Sequence, residues 1–316
     1  MTSHTSSPVA AGFLATLAEG PLLLSGGFGS ELERRGVALP APLWSTAALD
    51  SRPDRVRDLH RRYVRAGARV VVANTFRTAR HTLAKVGRGQ EARPLTALAI
   101  RLAREGVAAA DPQAPVFVAG SIAPLEDCYR PDRTPDATTL RVEHAVHVGS
   151  LVAAGATLGW IETMPTLREA VTALEAARAG ALPAVVSFVL GADGRLLDGE
   201  DLAVAAREVA AVDPLAILVN CCPVGVATRA LDVLGAATGH PFGAYANGRG
   251  SPARDGGWGW QGGTSDRAYV AQAQGWPACG ARLVGGCCGT SPRTIRKLAR
   301  RLMTTGATPP SRSDRR

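Results

Sequence analysis

The sequence predicts an α/β chain folded as a single (β/α)8 TIM-type barrel, on three observations. Short apolar runs rich in β-branched residues recur eight times. A stretch with helical spacing follows each run. The eight units fit within about 290 residues without a break in composition, whereas an open, doubly wound sheet gives no reason for eight; ~250 residues is typical of the barrel.

The apolar runs are 21–26, 68–76, 115–122, 157–163, 183–190, 215–221, 241–247 and 281–288. Continuous apolar runs suit parallel strands buried on both faces. Between the first two runs, Val56, Leu59, His60, Tyr63 and Val64 fall on one helical face, with Ser51 and Pro53 marking its start. Thr166 with Glu169 forms a capping-box signature after the fourth run. Ser291-Pro292 opens the helix after the eighth, with serine as the cap and proline at the first helical position.

The 316 residues are 46% hydrophobic and 20% charged, enough for a sizeable core. The barrel is assigned to residues 11–303. Residues 1–10, Ser/Thr-rich at their start, and the Pro/Ser/Arg tail at 304–316 are expected to be disordered. The net charge of +9 comes from arginines scattered over predicted helices and the tail. No RNA-binding aromatic motif or zinc-finger spacing accompanies them, so a solvated basic surface is expected and a nucleic-acid partner is not. No segment reaches the ~20 apolar residues of a membrane span. Residues 9–18 are apolar but lack a basic leader and run into Glu19, which argues against a signal peptide. A cytoplasmic location follows, where thiols stay reduced and cysteine doublets read as metal or redox sites.

Catalytic residues of such a barrel sit at the C-terminal ends of its strands. Four of the six cysteines form two doublets there, Cys221-Cys222 after the sixth strand and Cys287-Cys288 in the glycine-framed end of the eighth. Cys221, Cys287 and Cys288 can hold Zn²⁺ with a net charge of −1 and leave a fourth position for a substrate thiol. A closed site using Cys222 is the alternative, but successive strand side chains alternate, so a pocket-facing Cys221 turns Cys222 away. Two pairs of ordinary buried thiols are the other alternative. Cys128 and Cys279 lack such a context and are read as structural.

Glu162, at the end of the fourth strand, is read either as the partner of a substrate ammonium or as half of a salt bridge to an arginine. Gly26-Gly27-Phe28-Gly29 lacks the Walker and dinucleotide patterns; it reads as a tight turn that brings backbone N–H groups to a substrate carboxylate. His60, His144 and His147 lie in helical patterns and read as surface or satisfied core residues. Trp258 and Trp260, in the glycine-rich loop 255–263, are placed to cover the barrel mouth.

These segments, in this order, resemble the homocysteine S-methyltransferase family from about Leu22 to Leu302. The carrying motifs are the run 26–36 that opens Gly-Gly-Phe-Gly, Pro42-Leu43-Trp44-Ser45, Ala73-Asn74-Thr75-Phe76, Gly120-Ser121-Ile122-Ala123-Pro124 and Glu162-Thr163-Met164-Pro165. Asn220-Cys221-Cys222, Tyr245-Ala246-Asn247 and Gly285-Gly286-Cys287-Cys288-Gly289-Thr290 complete the set. The resemblance implies zinc held by Cys221, Cys287 and Cys288, with homocysteine thiolate as fourth ligand and methionine as product. It implies that Glu162 binds the amino group, with Gly26, Gly27 and Ser121 near the polar end of the amino acid; Asn247 is read as a further substrate contact. Family members commonly carry Asp before the first Gly-Gly, where this chain has Ser25. Another thiol or selenol therefore stands as an alternative acceptor, and a non-catalytic zinc- or redox-sensing barrel as the alternative to an enzyme. The chain ends soon after the last cysteine motif, without room for folate and cobalamin domains or the long extension of betaine-using relatives. That leaves a small onium donor, S-methylmethionine or S-adenosylmethionine.

Overall fold

The computed structural model describes residues 7–252 and 258–304. Eight parallel strands form the central sheet: β1 (Leu22–Leu23), β2 (Val70–Ala73), β3 (Phe117–Ile122), β4 (Gly159–Met164), β5 (Ala184–Val189), β6 (Ile217–Pro223), β7 (Phe242–Asn247) and, last in the chain, β10 (Leu283–Gly286). Their order is β1-β10-β7-β6-β5-β4-β3-β2. A parallel bridge between Leu24 and Val70 joins the two ends of that order and closes the barrel. Each expected strand is present, and β1 is shortest because the backbone leaves the ladder at Gly26-Gly27, just after Ser25 bonds Val70 and Gly286.

Helices fill the connections. They are α1 (Pro8–Glu19), α2 (Gly29–Arg34), α3 (Ala47–Ser51), α4 (Pro53–Arg65), α5 (Arg80–Ala84), α6 (Ala92–Ala108) and α7 (Ala137–Ala153). Then follow α8 (Leu167–Ala179), α9 (Leu202–Ala210), α10 (Val224–Ala237), α11 (Asp266–Ala273) and α12 (Pro292–Thr304). The Thr166 and Ser291 caps form as expected, Thr166 accepting from the Glu169 N–H and Ser291 from the Thr294 N–H. Ser51 instead ends α3, donating to the Ala47 carbonyl, and Arg52 occupies the cap position of α4.

Two apolar layers hold the barrel. The outer one lies between strands and helices. The inner one combines inward-facing strand residues, among them Leu24, Val70, Trp160, Val185, Leu218 and Leu283, with Ala10, Phe13 and Leu17 of α1. That helix plugs the barrel from below, and Phe13 meets Phe117 edge to face at 5.1 Å. Here the structure departs from the expected disorder at residues 8–10. Pro8 starts a helix and Ala10 is fully buried, because the barrel floor offers an apolar surface to cover. Burying a phenylalanine such as Phe13 contributes about 1.5–3 kcal/mol. Residues 1–6 and 305–316 lie outside the described residues.

A second correction concerns the loop after β7. It is an antiparallel ribbon, β8 (Arg249–Pro252) with β9 (Trp258–Gly263), and Pro252 lines the mouth of the barrel. Trp260 is exposed. Among the described residues no helix is long and apolar enough to cross a membrane.

Candidate active site and metal centre

At the C-terminal rim the sulfur atoms of Cys221, Cys287 and Cys288 lie within 4.8 Å of one another. Backbone irregularities in two strands aim the first of them. The β6–β7 register shifts between Asn220 and Pro223, and Cys221 takes φ +50°; the β4–β5 register shifts between Ile161 and Met164, and Thr163 takes φ +63°. A left-handed conformation costs a residue with a Cβ about 1–2 kcal/mol, so it persists only where neighbours hold it. Here Asn247 Nδ2 (2.9 Å) and the Tyr129 hydroxyl (3.1 Å) both donate to the Cys221 carbonyl.

The side chain of Asn220 ties the two irregular strand ends together. Its Oδ1 accepts from the Thr163 N–H and the Ser187 hydroxyl, each at 3.0 Å, while Nδ2 donates to Thr163 Oγ1 at 2.7 Å and reaches Cys287 Sγ at 4.0 Å. Asn220 is fully buried.

The Cys287-Cys288 turn is fixed from three sides. Cys287 N–H donates to the Ala246 carbonyl and Gly248 N–H to the Cys288 carbonyl. Thr290 Oγ1 donates to the Cys287 carbonyl at 2.7 Å and accepts from the Gly27 N–H at 3.0 Å. This last bond revises the reading of the glycine turn. The Gly27 amide is already spent on Thr290, and a Cβ there would stand 2.6 Å from the Cys287 carbonyl oxygen. The glycine pair lets the end of β1 pack against the cysteine turn. Gly27→Ala should therefore destabilise the fold by about 1–3 kcal/mol, read as a lower midpoint in thermal or denaturant unfolding; wild-type stability would count against this packing role.

Cys222 points away into the outer apolar layer, and burial pushes its thiol up to about 12. Among the three clustered sulfurs, hydrogen bonds from Cys221 and then Cys288 lower Cys287 to about 5, while the other two thiols are driven up. Within the cluster a negative charge is thus favoured on Cys287.

These thiols line a cavity of about 440 Å³ that also takes in Gly26, Gly27 and Glu162. No ion pair among the described residues includes Glu162. Its Oε1 accepts from Ser121 at 2.5 Å and its Oε2 from Tyr245 at 3.3 Å. Burial raises its carboxyl to about 7, and the Ser121 hydrogen bond opposes that rise. The Tyr245 hydroxyl also receives the Trp160 indole N–H at 3.0 Å and lies 2.6 Å from Ser187 Oγ, which links Glu162 to Asn220 through the barrel core.

Ser121 and Asn247 do not line the cavity; one braces Glu162 and the other Cys221. Cys128, read as structural, does line it, while Cys279 is exposed. His144 pairs with Glu169 and His147 with the Ser121 carbonyl, each through Nε2, which makes them core residues rather than ligands of the cavity. His60 differs. It is buried with neither ring nitrogen bonded, stacks on Phe28 at 4.6 Å, and is lowered to about 3 by burial, so it is neutral. Sequence reasoning gave no role to Tyr129, Tyr245 or Ser187; Tyr129 and Tyr245 line the cavity, and Ser187 supports it from the barrel core.

A family profile described as Homocysteine S-methyltransferase matches residues 22–302. The chain belongs to the homocysteine S-methyltransferase family. The Homocysteine S-methyltransferase of Escherichia coli (strain K12) is 34% identical, covering 89% of this chain and 94% of that protein. The Selenocysteine methyltransferase of Astragalus bisulcatus is 27% identical over 96% of this chain and 98% of its own length. Among solved structures, the metallated form of the E. coli homocysteine methyltransferase MmuM superposes with a TM-score of 0.78 at 30% identity, covering 91% of this chain and 98% of that one. The carboxyl transferase domain of Rhizobium etli pyruvate carboxylase, at 12% identity and a TM-score of 0.53, shares the barrel fold alone. As a member of this family the protein is a methyltransferase, and its chemistry is methyl transfer to a thiol.

Proposed function

We propose that the protein moves a methyl group from a small sulfonium donor, S-methylmethionine or S-adenosylmethionine, to the thiolate of homocysteine, giving methionine, with zinc held by Cys221, Cys287 and Cys288. The observation that carries this reading is the meeting of three thiols and one buried carboxylate, Glu162, in a single cavity.

The donor set fits the ion. Zn–S bonds of about 2.3 Å in tetrahedral geometry place sulfurs roughly 3.8 Å apart, within the spread of this cluster, and three protein ligands leave a position open. Bound zinc supplies the Lewis acidity that keeps a substrate thiol deprotonated near neutral pH. Glu162 offers the charge for the amino group of the acceptor. Phe28, Trp44 and Tyr129 give the cavity aromatic faces suited to an onium cation. A lone pair on the acceptor sulfur forms the new S–CH3 bond as the donor's C–S pair returns to its sulfur. The donor leaves as a neutral thioether, so no general base is needed at the carbon.

Ser25 also lines the cavity, and its short side chain leaves room for a larger acceptor. Together with the selenocysteine methyltransferase relative, this makes a selenol or another thiol the second acceptor class. A matrix of methyl donors against thiol and selenol acceptors, with zinc-loaded protein, tests the reading. Methionine should form from homocysteine and a sulfonium; its absence with both sulfonium donors would overturn the assignment.

Glu162 adds a pH dependence. Its ionised form pairs with an ammonium and its protonated form does not, so acceptor KM should fall as pH rises through about 7. Glu162→Gln should raise that KM and flatten the profile. An unchanged profile in the variant would remove Glu162 from acceptor binding.

A further inference from the structure

The cavity extends beyond the thiols to a wall built by the segment after β2 and the loop after β3. That wall carries several charges, and some are already neutralised. Lys85 Nζ meets Glu126 Oε2 at 2.6 Å, and His81 meets Glu126 Oε1 at 2.7 Å. Two half-buried groups are left over. Arg77 and Asp127 both line the cavity, both are half-buried, and neither makes an ion pair with any described residue. The exposed Arg133 stands at the rim.

Both leftover groups are nonetheless positioned. Arg77 Nη1 donates to the Glu126 carbonyl at 2.9 Å, and its guanidinium lies 4.9 Å from the centre of the Phe76 ring. One of its five N–H groups is thus used, which leaves donors for a carboxylate. Asp127 Oδ1 accepts from the Tyr129 N–H at 2.9 Å. Tyr129 in turn holds the Cys221 carbonyl, so the loop that presents Asp127 also touches the thiol centre. A half-buried cation and a half-buried anion, neither with an ion-pair partner among the described residues, in one cavity, match the two charges of an α-amino acid.

We propose that Arg77 and Asp127 form the head-group site of the methyl donor, Arg77 taking the α-carboxylate and Asp127 the α-ammonium of an amino-acid sulfonium whose methyl group faces the cysteine cluster. This rests on the reading of the protein as a sulfonium-dependent methyltransferase. It separates the two substrates by charge partner: Glu162 serves the acceptor, and the Arg77–Asp127 pair serves the donor. The transfer itself is unchanged; the C–S bond of the donor breaks, its electron pair stays on the departing sulfur, and one new C–S bond forms.

Steady-state kinetics of zinc-loaded Arg77→Gln and Asp127→Asn, with S-methylmethionine and homocysteine, test the assignment. Each variant should raise the KM for S-methylmethionine roughly ten- to a hundredfold, the loss expected for a hydrogen bond to a charged group. The KM for homocysteine should stay unchanged. An unchanged donor KM, or a rise in acceptor KM instead, would overturn the proposal. Calorimetric titration with S-methylmethionine alone reads the head-group site without turnover. Wild type should bind, and each variant should bind at least about tenfold more weakly; equal affinities, or no binding to wild type, would also overturn it. A wild type that binds S-methylmethionine with this variant pattern yet transfers no methyl group would refute the donor role while supporting the head-group site.

Discussion

Cys287→Ala should abolish metal retention and methyl transfer while leaving a folded barrel. Two thiols do not make a closed grip on the ion, and the reaction loses several kcal/mol of electrostatic help, on the order of a thousandfold in rate. The fold should survive because the turn is held by backbone bonds from Cys287 to Ala246 and from Gly248 to Cys288, which alanine preserves. Metal content after gel filtration, circular dichroism and a methyl-transfer assay read the three outcomes together. Cys222→Ala is the matched control. Its side chain sits in the outer apolar layer, so it should cost about 1 kcal/mol of stability and keep both metal and activity. A Cys222 variant that loses its metal would mean a closed four-thiolate site and no open position.

Asn220→Asp is the second large effect. The substitution is nearly isosteric, and one carboxylate oxygen can still accept from Thr163 and Ser187. It replaces the Nδ2 donor beside Cys287 with a negatively charged oxygen next to the thiol cluster. Partners that orient metal ligands typically govern affinity by 10–100-fold, so metal affinity in a chelator competition should fall by about that factor. Wild-type affinity in the variant would show that Asn220 serves the strand ends alone.

Much of the site was legible in the sequence because its signals are local. Apolar runs mark the strands, and a cysteine doublet at the end of a run marks the rim. Alternation along β6 separates Cys221 from Cys222 without a structure. Glu162 was visible as a carboxylate at a strand end, but its two readings could be separated only once Ser121 and Tyr245 stood on its oxygens. What escaped the sequence was mostly long-range. The Gly27–Thr290 bond joins residues far apart in the sequence, so the packing of Gly27 against the Cys287 carbonyl could not be read beside its expected role as an anion turn. Asn247 and Ser121 lie at strand ends as expected, yet neither lines the cavity: Asn247 donates to the Cys221 carbonyl and Ser121 to Glu162. Residues 8–10 carry no strong helix signal beyond Pro8; their order comes from the barrel floor that Ala10 and Phe13 cover.

The central claim is that Cys221, Cys287 and Cys288 hold one metal ion with a position open to a substrate thiol. The visible and near-ultraviolet spectrum of the cobalt-substituted protein, titrated with homocysteine, tests it most directly. The thiolate-to-cobalt charge-transfer bands should shift and strengthen as homocysteine is added. Bands that stay unchanged at saturating homocysteine would contradict the claim.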